Sequence, residues 1–483
     1  MKICFVSSEI APLAKTGGLA DVAGALGKYL KQNGHDIRMV MPLYSSIDTK
    51  DIDLYPVDFA QNCMLQMGDQ QLSYDVYTTK LPGSETDVYL IHCPQLYNRP
   101  TIYTSDADEY LRFGLLNRAA IELCQRMGWA PDILHLNDWQ TALVPVYLKT
   151  LYAWDLLFRS TKTVFTIHNI AYQGKFHADV INSLGLNKFY HFFDGSDLYG
   201  GTLNFLKTGL LHADKLTTVS PTYAKEITTQ EYGEGLNDLL LQRAHDLVGI
   251  LNGVDYDVWN PEKDPYIPQH YSIKNPGKKK VNKKALLKKL GLSYSEKAPV
   301  LGMISRLVEQ KGIDLLESVL PHILQKYDVR VVILGSGEEK YERFLYYTQL
   351  NFKDKMVFYR GYDYPLSHLI EAGSDIYLMP SRFEPCGLNQ IYSLKYGTIP
   401  VVRKTGGLAD TVELYDWETQ TGTGFVFEHY TEEGFYWALE YAITTYQNKT
   451  AWRKIMKNAM SQDFSWKKQL LKYEQLYSSI LES

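Results

Sequence analysis

The chain has 483 residues, a formal net charge of -5 at pH 7, 45% hydrophobic and 22% charged residues. Its length exceeds the roughly 250–300 residues at which one hydrophobic core stops growing, so two domains are expected, and the ordinary apolar content excludes a disordered chain. The charge gives no global attraction to nucleic acid or anionic lipid, and no run reaches the roughly 18 apolar residues of a membrane span.

The opening apolar run "ICFV" ends at Ser7, Ser8 and Glu9, too short for the core of a signal peptide, and a cytoplasmic protein is the expectation. From there, β-rich runs alternate with longer helical patterns, the signature of parallel sheets built from βαβ units. The first half supplies "KICFVS", "DIRMVM", "DVYLIH", "DILHL", "TVFTIH", "KLTTVS" and "LVGILN" as strands. A Pro- and Lys-rich stretch, "NPEKDPYIPQHYSIKNPGKKKVNKK", then reads as a surface linker whose lysines form a solvated face. The second half repeats the scheme with "PVLGMIS", "VRVVILG", "MVFYRG", "DIYLMP" and "TIPVVR", and "SWKKQLLKYEQLYSSILES" closes the chain as a helix. The boundaries read this way are 1–255 for a first domain, 256–285 for the linker, 286–460 for a second domain and 461–483 for the terminal helix. Two doubly wound parallel sheets are therefore expected to face each other across one deep cleft, with ligands outside the carboxyl ends of the strands.

The heptapeptide "KTGGLAD" occurs twice, at Lys15–Asp21 and Lys404–Asp410, each time between a strand and a helix. Glycines at such a turn let backbone N–H groups at a helix start approach an anion, and the recurrence in both halves favours two phosphate-facing turns over two tight connections. No G-x-x-x-x-G-K-[ST] is present, and "GSGEEK" at Gly335 lacks the third glycine of a dinucleotide fingerprint. In "SRLVEQKG", Arg306 and Lys311 lie past a strand and before a helix marked by Gly312. Two cations at the positive end of a helix suit a diphosphate, each close charge pair giving roughly 4 kcal/mol at an effective dielectric of 20 before desolvation. Glu384, in "PSRFEPCGLNQ", follows a strand and precedes a helix start, which favours an ionised carboxylate at the ligand edge.

Five scattered cysteines with no C-x-x-C pair suggest core residues, and twelve histidines without H-E-x-x-H give no metal site. D-x-D triplets beginning at Asp51, Asp106 and Asp255 are read as incidental.

Taken in order, "KTGGLADV", "NDWQ", "TIHNIAYQG", "NGVDYDVWNP", "SRLVEQKG", "EPCGLNQIYSLKYG" and "KTGGLADTV" resemble the bacterial glycogen synthases and plant starch synthases, over nearly the whole chain. That resemblance implies an α/β protein of the GT-B fold, two Rossmann-like domains, that transfers glucose from ADP-glucose to the non-reducing end of an α-1,4-glucan with retention. It implies no cofactor and no metal, no nucleic-acid or membrane partner, and a cytoplasmic or plastid location. Carried residue by residue, it puts Lys15, Gly17, Gly18 and Asp21 at the donor diphosphate, with Arg306 and Lys311 on the phosphates as they leave. Glu384 and His168 would hold the glucose, Asn252 touch it, and Tyr362 stack on the base. Cys386, Gly387, Leu388, Thr405, Gly406, Gly407 and Leu408 would line the donor, while Glu9, Tyr97 and Asp138 would lie on the acceptor side. Closure of the two domains is expected to complete the site. Two departures stand out: Gln140 where many members carry histidine after "NDW", and Tyr392, eight positions after Glu384, where the wider superfamily often has a second glutamate. The second departure is usual in the glycogen and starch synthase branch. Two rival readings are an α-glucan phosphorylase-like enzyme, which needs a pyridoxal phosphate lysine, and a silent glucan-binding scaffold.

Overall fold

A computed structural model describes residues 1–50 and 52–482; Asp51, which opens one D-x-D triplet, and Ser483, the last residue of the terminal segment, lie outside the described residues. The chain divides into two compact units. The first comprises Met1–Val219, Ala224–Ile250 and the segment from Trp466 onward, and the second comprises Ser220–Tyr223 and Leu251–Ser465.

In the first unit the sheet runs in the order Leu247–Gly249, Lys215–Thr218, Lys162–Ile167, Ile133–Asn137, Lys2–Val6, Asp36–Pro42, Asp87–His92, Gln70–Lys80, Tyr55–Pro56, with Cys63–Met67 paired to Gln70–Lys80. The strands from Leu247 to His92 pair in parallel, and Ile3, Phe5 and Val6 are fully buried, as expected for a sheet covered on both faces. The sheet is nonetheless mixed, not purely parallel, because Gln70–Lys80 joins Asp87–His92 antiparallel. Strand order reverses beside Lys2–Val6, whose neighbours Asp36–Pro42 and Ile133–Asn137 lead in opposite directions along the chain. Residues just past Val6 and Asn137 therefore flank a topological switch point, where ligands of such sheets bind.

The second unit holds a parallel sheet in the order Met356–Arg360, Arg330–Gly337, Val300–Leu307, Ile376–Met379, Ile399–Arg403, Phe425–Phe427. Alternate residues point to opposite faces. Leu301, Met303, Val331 and Ile333 pack with Leu316, Leu320 and Phe435 on one side, while Val300, Val332 and Leu334 meet Leu286, Leu366 and Ile370 on the other. Here the order reverses between Val300–Leu307 and Ile376–Met379, so the segments after these two strands flank the second switch point.

The stretch read as a linker is instead part of the second unit. Ile267 and Tyr271 are buried against Tyr396 and Met460. The lysine run is not one solvated face either: on the helix Lys279–Lys289, Lys279 is buried and donates to the carbonyls of Glu371 (3.0 Å) and Ala372 (2.9 Å) and to Thr398 Oγ1 (2.6 Å). Lys283, also buried, pairs with Asp375 at 2.8 Å. The terminal helix Trp466–Leu481 belongs to the first unit, where the Tyr477 hydroxyl meets His135 Nδ1 at 2.6 Å. All five cysteines are buried and free. No helix among the described residues is long and apolar enough to cross a membrane.

Candidate active site

At the second unit's switch point, the chain leaving Val300–Leu307 turns through Glu309–Lys311 and enters the helix Ile313–Lys326 at Gly312. Gly312 has φ +73°, and a Cβ there would lie 2.0 Å from the Pro380 carbonyl oxygen, so only glycine lets this turn press against the neighbouring strand exit. The close approach carries Lys311 to Glu384: Nζ stands 2.6 Å from Oε2. Glu384 is buried, and the Ser381 hydroxyl donates to the same oxygen at 3.1 Å. The two loops are further stitched by the Arg382 N–H on the Gln310 carbonyl at 2.9 Å. Arg306, at the end of its strand, is exposed and has no ion pair among the described residues.

The second glycine turn packs onto the same loop. Gly407 N–H donates to the Glu384 carbonyl at 3.1 Å, and added Cβ atoms at Gly406 and Gly407 would strike the Glu384 carbonyl oxygen, and the Cys386 carbonyl oxygen at 2.1 Å. Thr405, Gly406, Gly407 and Leu408 are all buried, and the helix they open runs Gly406–Thr411. Cys386 is buried, and burial pushes its thiol up to about 12, so it is a packing group and not a thiolate nucleophile. The Asn252 backbone N–H reaches this sulfur, and the buried Asn252 Oδ1 has no partner among the described residues. Gly387 has φ +71°; Leu388 precedes the helix Asn389–Tyr396, which the Asn389 side chain ties to the Ile304 carbonyl at 2.8 Å. Tyr362 is 68% exposed on the turn after Met356–Arg360, at the same sheet edge but one strand beyond Val300–Leu307 and Arg330–Gly337.

In the first unit the identical heptapeptide is placed differently. An added Cβ at Gly17 or Gly18 would meet nothing within 4 Å. The N–H groups of Thr16 and Gly17 that open the helix Gly18–Gln32 are engaged by Glu9, whose Oε2 accepts them at 2.5 and 3.2 Å while Oε1 accepts the Thr16 and Tyr103 hydroxyls at 2.6 and 2.5 Å. Glu9, expected on the acceptor side, is thus buried and acts as the anion at this helix start. Lys15 is exposed and paired with Asp21 at 2.7 Å; burial raises the Asp21 carboxyl and Lys15 opposes that shift. In the second copy the partners change: Lys404 pairs with Glu428 at 2.7 Å, and Asp410 accepts the N–H and hydroxyl of Thr222 at 2.9 and 2.6 Å.

Past Ile133–Asn137, Asp138 adopts φ +56° and accepts the His168 N–H at 2.7 Å; burial pushes its carboxyl up to about 7. The Asn137 amide donates to the Val6 carbonyl at 2.9 Å, leaving its oxygen to accept from His168 Nε2 at 2.9 Å. That bond fixes the tautomer with hydrogen on Nε2, and burial lowers the ring to about 3, so His168 is a neutral donor already engaged within its own unit. Tyr97, expected at the acceptor, is a core residue: it is 1% exposed and donates its hydroxyl to the Arg112 carbonyl at 2.8 Å. Gln140 is buried, its backbone carbonyl accepting from the Asn117 amide at 2.7 Å.

The structure therefore brings Lys311, Glu384, Cys386, Gly406, Gly407 and Asn252 together in the second unit, and gathers Glu9 with the first glycine turn, and Asp138 with His168, in the first. Sequence reasoning missed Ser381, Asn389 and Tyr103, polar residues that no motif spacing distinguishes. Among the described residues no group of three or more His, Cys, Asp or Glu side chains is placed to hold a metal ion. Asp106 pairs with Arg99, and Asp255 accepts the Asp257 N–H at 2.9 Å.

Residues 2–242 match the model of the starch synthase catalytic domain, and residues 288–459 that of glycosyl transferases group 1. The fold is shared with sucrose-phosphate synthase from Thermosynechococcus elongatus at a TM-score of 0.63 and 16% identity, both chains covered almost entirely. Architecture and family models together define a glycosyltransferase of the GT-B class. Within that class the similarity is much closer to the catalytic domain of starch synthase IV from Arabidopsis thaliana bound to ADP and acarbose, with a TM-score of 0.91 and 35% identity over 100% of this chain and 99% of that one. Glycogen synthases of Thermotoga maritima and Desulforudis audaxviator are 44% and 43% identical, covering 100% of this chain and 99% and 97% of theirs. The chain belongs to the glycogen synthase and starch synthase family.

Proposed function

We propose that this chain transfers glucose from ADP-glucose to the non-reducing end of an α-1,4-glucan, with retention at the anomeric carbon and release of ADP. The observation that carries the reading is the Lys311–Glu384 pair at a topological switch point, a cation and a buried carboxylate 2.6 Å apart. As the anomeric C–O bond breaks, Lys311 and Arg306 take up the charge developing on the departing diphosphate. Glu384, anchored by Ser381, faces the sugar and steadies the positive anomeric carbon. Retention by double displacement needs a carboxylate placed as nucleophile. The position eight residues after Glu384 holds Tyr392, whose ring is stacked on Trp259, so the departing phosphate serves as base for a same-face attack by the acceptor hydroxyl. The ADP seen in the Arabidopsis starch synthase supports adenine as the base, with Tyr362 exposed to stack on it.

The test supplies purified protein and glycogen with radiolabelled ADP-glucose or UDP-glucose in parallel. Label entering α-1,4 linkages removable by β-amylase, with ADP-glucose preferred, is expected. Label incorporated equally well from both donors overturns the adenine assignment, and no incorporation from either overturns the reaction.

A further inference from the structure

Trp259 stands between two rings. His368 lies 3.9 Å from it on one side and Tyr392 4.1 Å on the other, centroid to centroid, both within 6° of parallel. His368 belongs to the helix Tyr364–Gly373, which starts two residues after Tyr362, and Tyr392 to the helix Asn389–Tyr396, which starts five residues after Glu384. A second residue of the same stretch bridges the same helices: Asp264, wholly buried, accepts from His368 Nδ1 at 2.8 Å and from the Tyr396 hydroxyl at 2.5 Å. At the entry to the first helix, the Tyr364 ring packs on His368 at 4.6 Å, Tyr266 at 5.4 Å and Trp259 at 6.2 Å, and Asp363 caps the helix through the Leu366 N–H at 2.8 Å. The segment that composition marks as a surface linker is thus a clamp on two helices whose starts carry the Tyr362 turn and the Glu384 loop.

We infer that Trp259 is a positioning residue for the donor: stacked on both His368 and Tyr392, it fixes the spacing between the turn that receives the base and the loop that receives the sugar. The inference rests on the donor-site reading above. It also gives Tyr392 a use, as the ring that completes the stack where related enzymes often carry a carboxylate. A nucleotide sugar engages both ends of this span, whereas adenosine engages only the Tyr362 turn. Loss of a spacing element penalises the ligand that must match two places at once, since small misplacements of positioned groups cost rate and affinity steeply. A side chain that only fills the core has no reason to discriminate between the two ligands.

The experiment measures the ADP-glucose KM, the adenosine inhibition constant and the glycogen KM for wild type, Trp259→Leu and Trp259→Phe. Trp259→Leu is expected to raise the ADP-glucose KM about tenfold while the adenosine and glycogen constants stay within about twofold, and Trp259→Phe to restore most of the loss. Parallel changes for ADP-glucose and adenosine, or no change in either, overturn the inference. If Trp259→Leu does not fold, Tyr392→Leu removes one ring of the stack and carries the same expectation. Tyr362→Ala is the separate control: unaltered adenosine inhibition in that variant rejects the donor-site reading itself, whatever Trp259 does.

Discussion

Lys311 Nζ lies 2.6 Å from Glu384 Oε2, and the two groups are unequally sheltered: the carboxylate side chain is 6% exposed and the lysine 18%. Removing one partner of a buried pair is costly mainly through the charge left behind. Lys311→Ala leaves the deeper group with the Ser381 hydroxyl as its remaining side-chain donor among the described residues, so it should lose more stability, about 1–3 kcal/mol, than Glu384→Gln, which leaves an ammonium able to reach water. Urea denaturation of both variants checks the order, and equal losses contradict it.

The duplicated heptapeptide permits a controlled comparison within one molecule. Gly17→Ala places a Cβ in open space on extended backbone, φ -150°, and should leave the melting temperature nearly unchanged. Gly407→Ala drives a Cβ to 2.1 Å from the Cys386 carbonyl oxygen and 2.4 Å from its Cα, backbone that cannot step aside, and should cost more than about 2 kcal/mol. Thermal melts of the two single variants decide the matter, and similar losses at both positions would refute the difference in surroundings.

Glu9 holds the first glycine turn through the N–H groups of Thr16 and Gly17. Glu9→Gln weakens charge-assisted bonds to neutral ones, roughly halving their strength. Hydrogen exchange at the Thr16 and Gly17 amides should quicken about tenfold or more, with the sheet amides of Lys2–Val6 unaffected. Unchanged exchange at the two loop amides would show that the turn is held by other means.

His135 and His168, both lowered to about 3 by burial, His135 also by its histidine neighbour, each withdraw stability on acidification, while Asp138, raised to about 7, and Glu371, raised to about 8, each add stability over the same range. A histidine depressed in the folded state is neutral there, so its contribution is complete above the unfolded value near 6.5 and is lost as pH falls from there toward 3. Between pH 7 and pH 5 each should withdraw about 2 kcal/mol. Urea unfolding at pH 7, 6 and 5 tests this by difference: between pH 7 and pH 5 the stability of His135→Gln should change by about 2 kcal/mol in the favourable direction relative to wild type, and an identical pH dependence in the two proteins would contradict the assignment.

The parallel strands were legible because both of their faces are buried, which makes runs such as "KICFV" and "RVVIL" nearly continuous in apolar residues. The antiparallel strand Gln70–Lys80 was not, since one face meets water and its polar residues resemble loop. Lys279 and Lys283 read as solvated because their partners, the Glu371 and Ala372 carbonyls, Thr398 and Asp375, lie some ninety to one hundred and twenty residues away in sequence. Motif spacing located Lys311, Glu384 and both glycine turns at strand exits. It did not reveal that one turn closes on backbone while the other stands open, because seven identical residues take their surroundings from different neighbours. Tyr97 shows the converse: a motif-adjacent hydroxyl that tertiary packing turned inward, onto the Arg112 carbonyl.

The central claim is that Lys311 neutralises charge on a departing diphosphate, and glucosyl incorporation by Lys311→Ala tests it most directly. The assay uses saturating ADP-glucose and glycogen, below the melting transition of both proteins. The account predicts label entering glycogen with the wild-type protein and a rate at least about 100-fold lower with the variant. A variant that transfers glucose at the wild-type rate would contradict it.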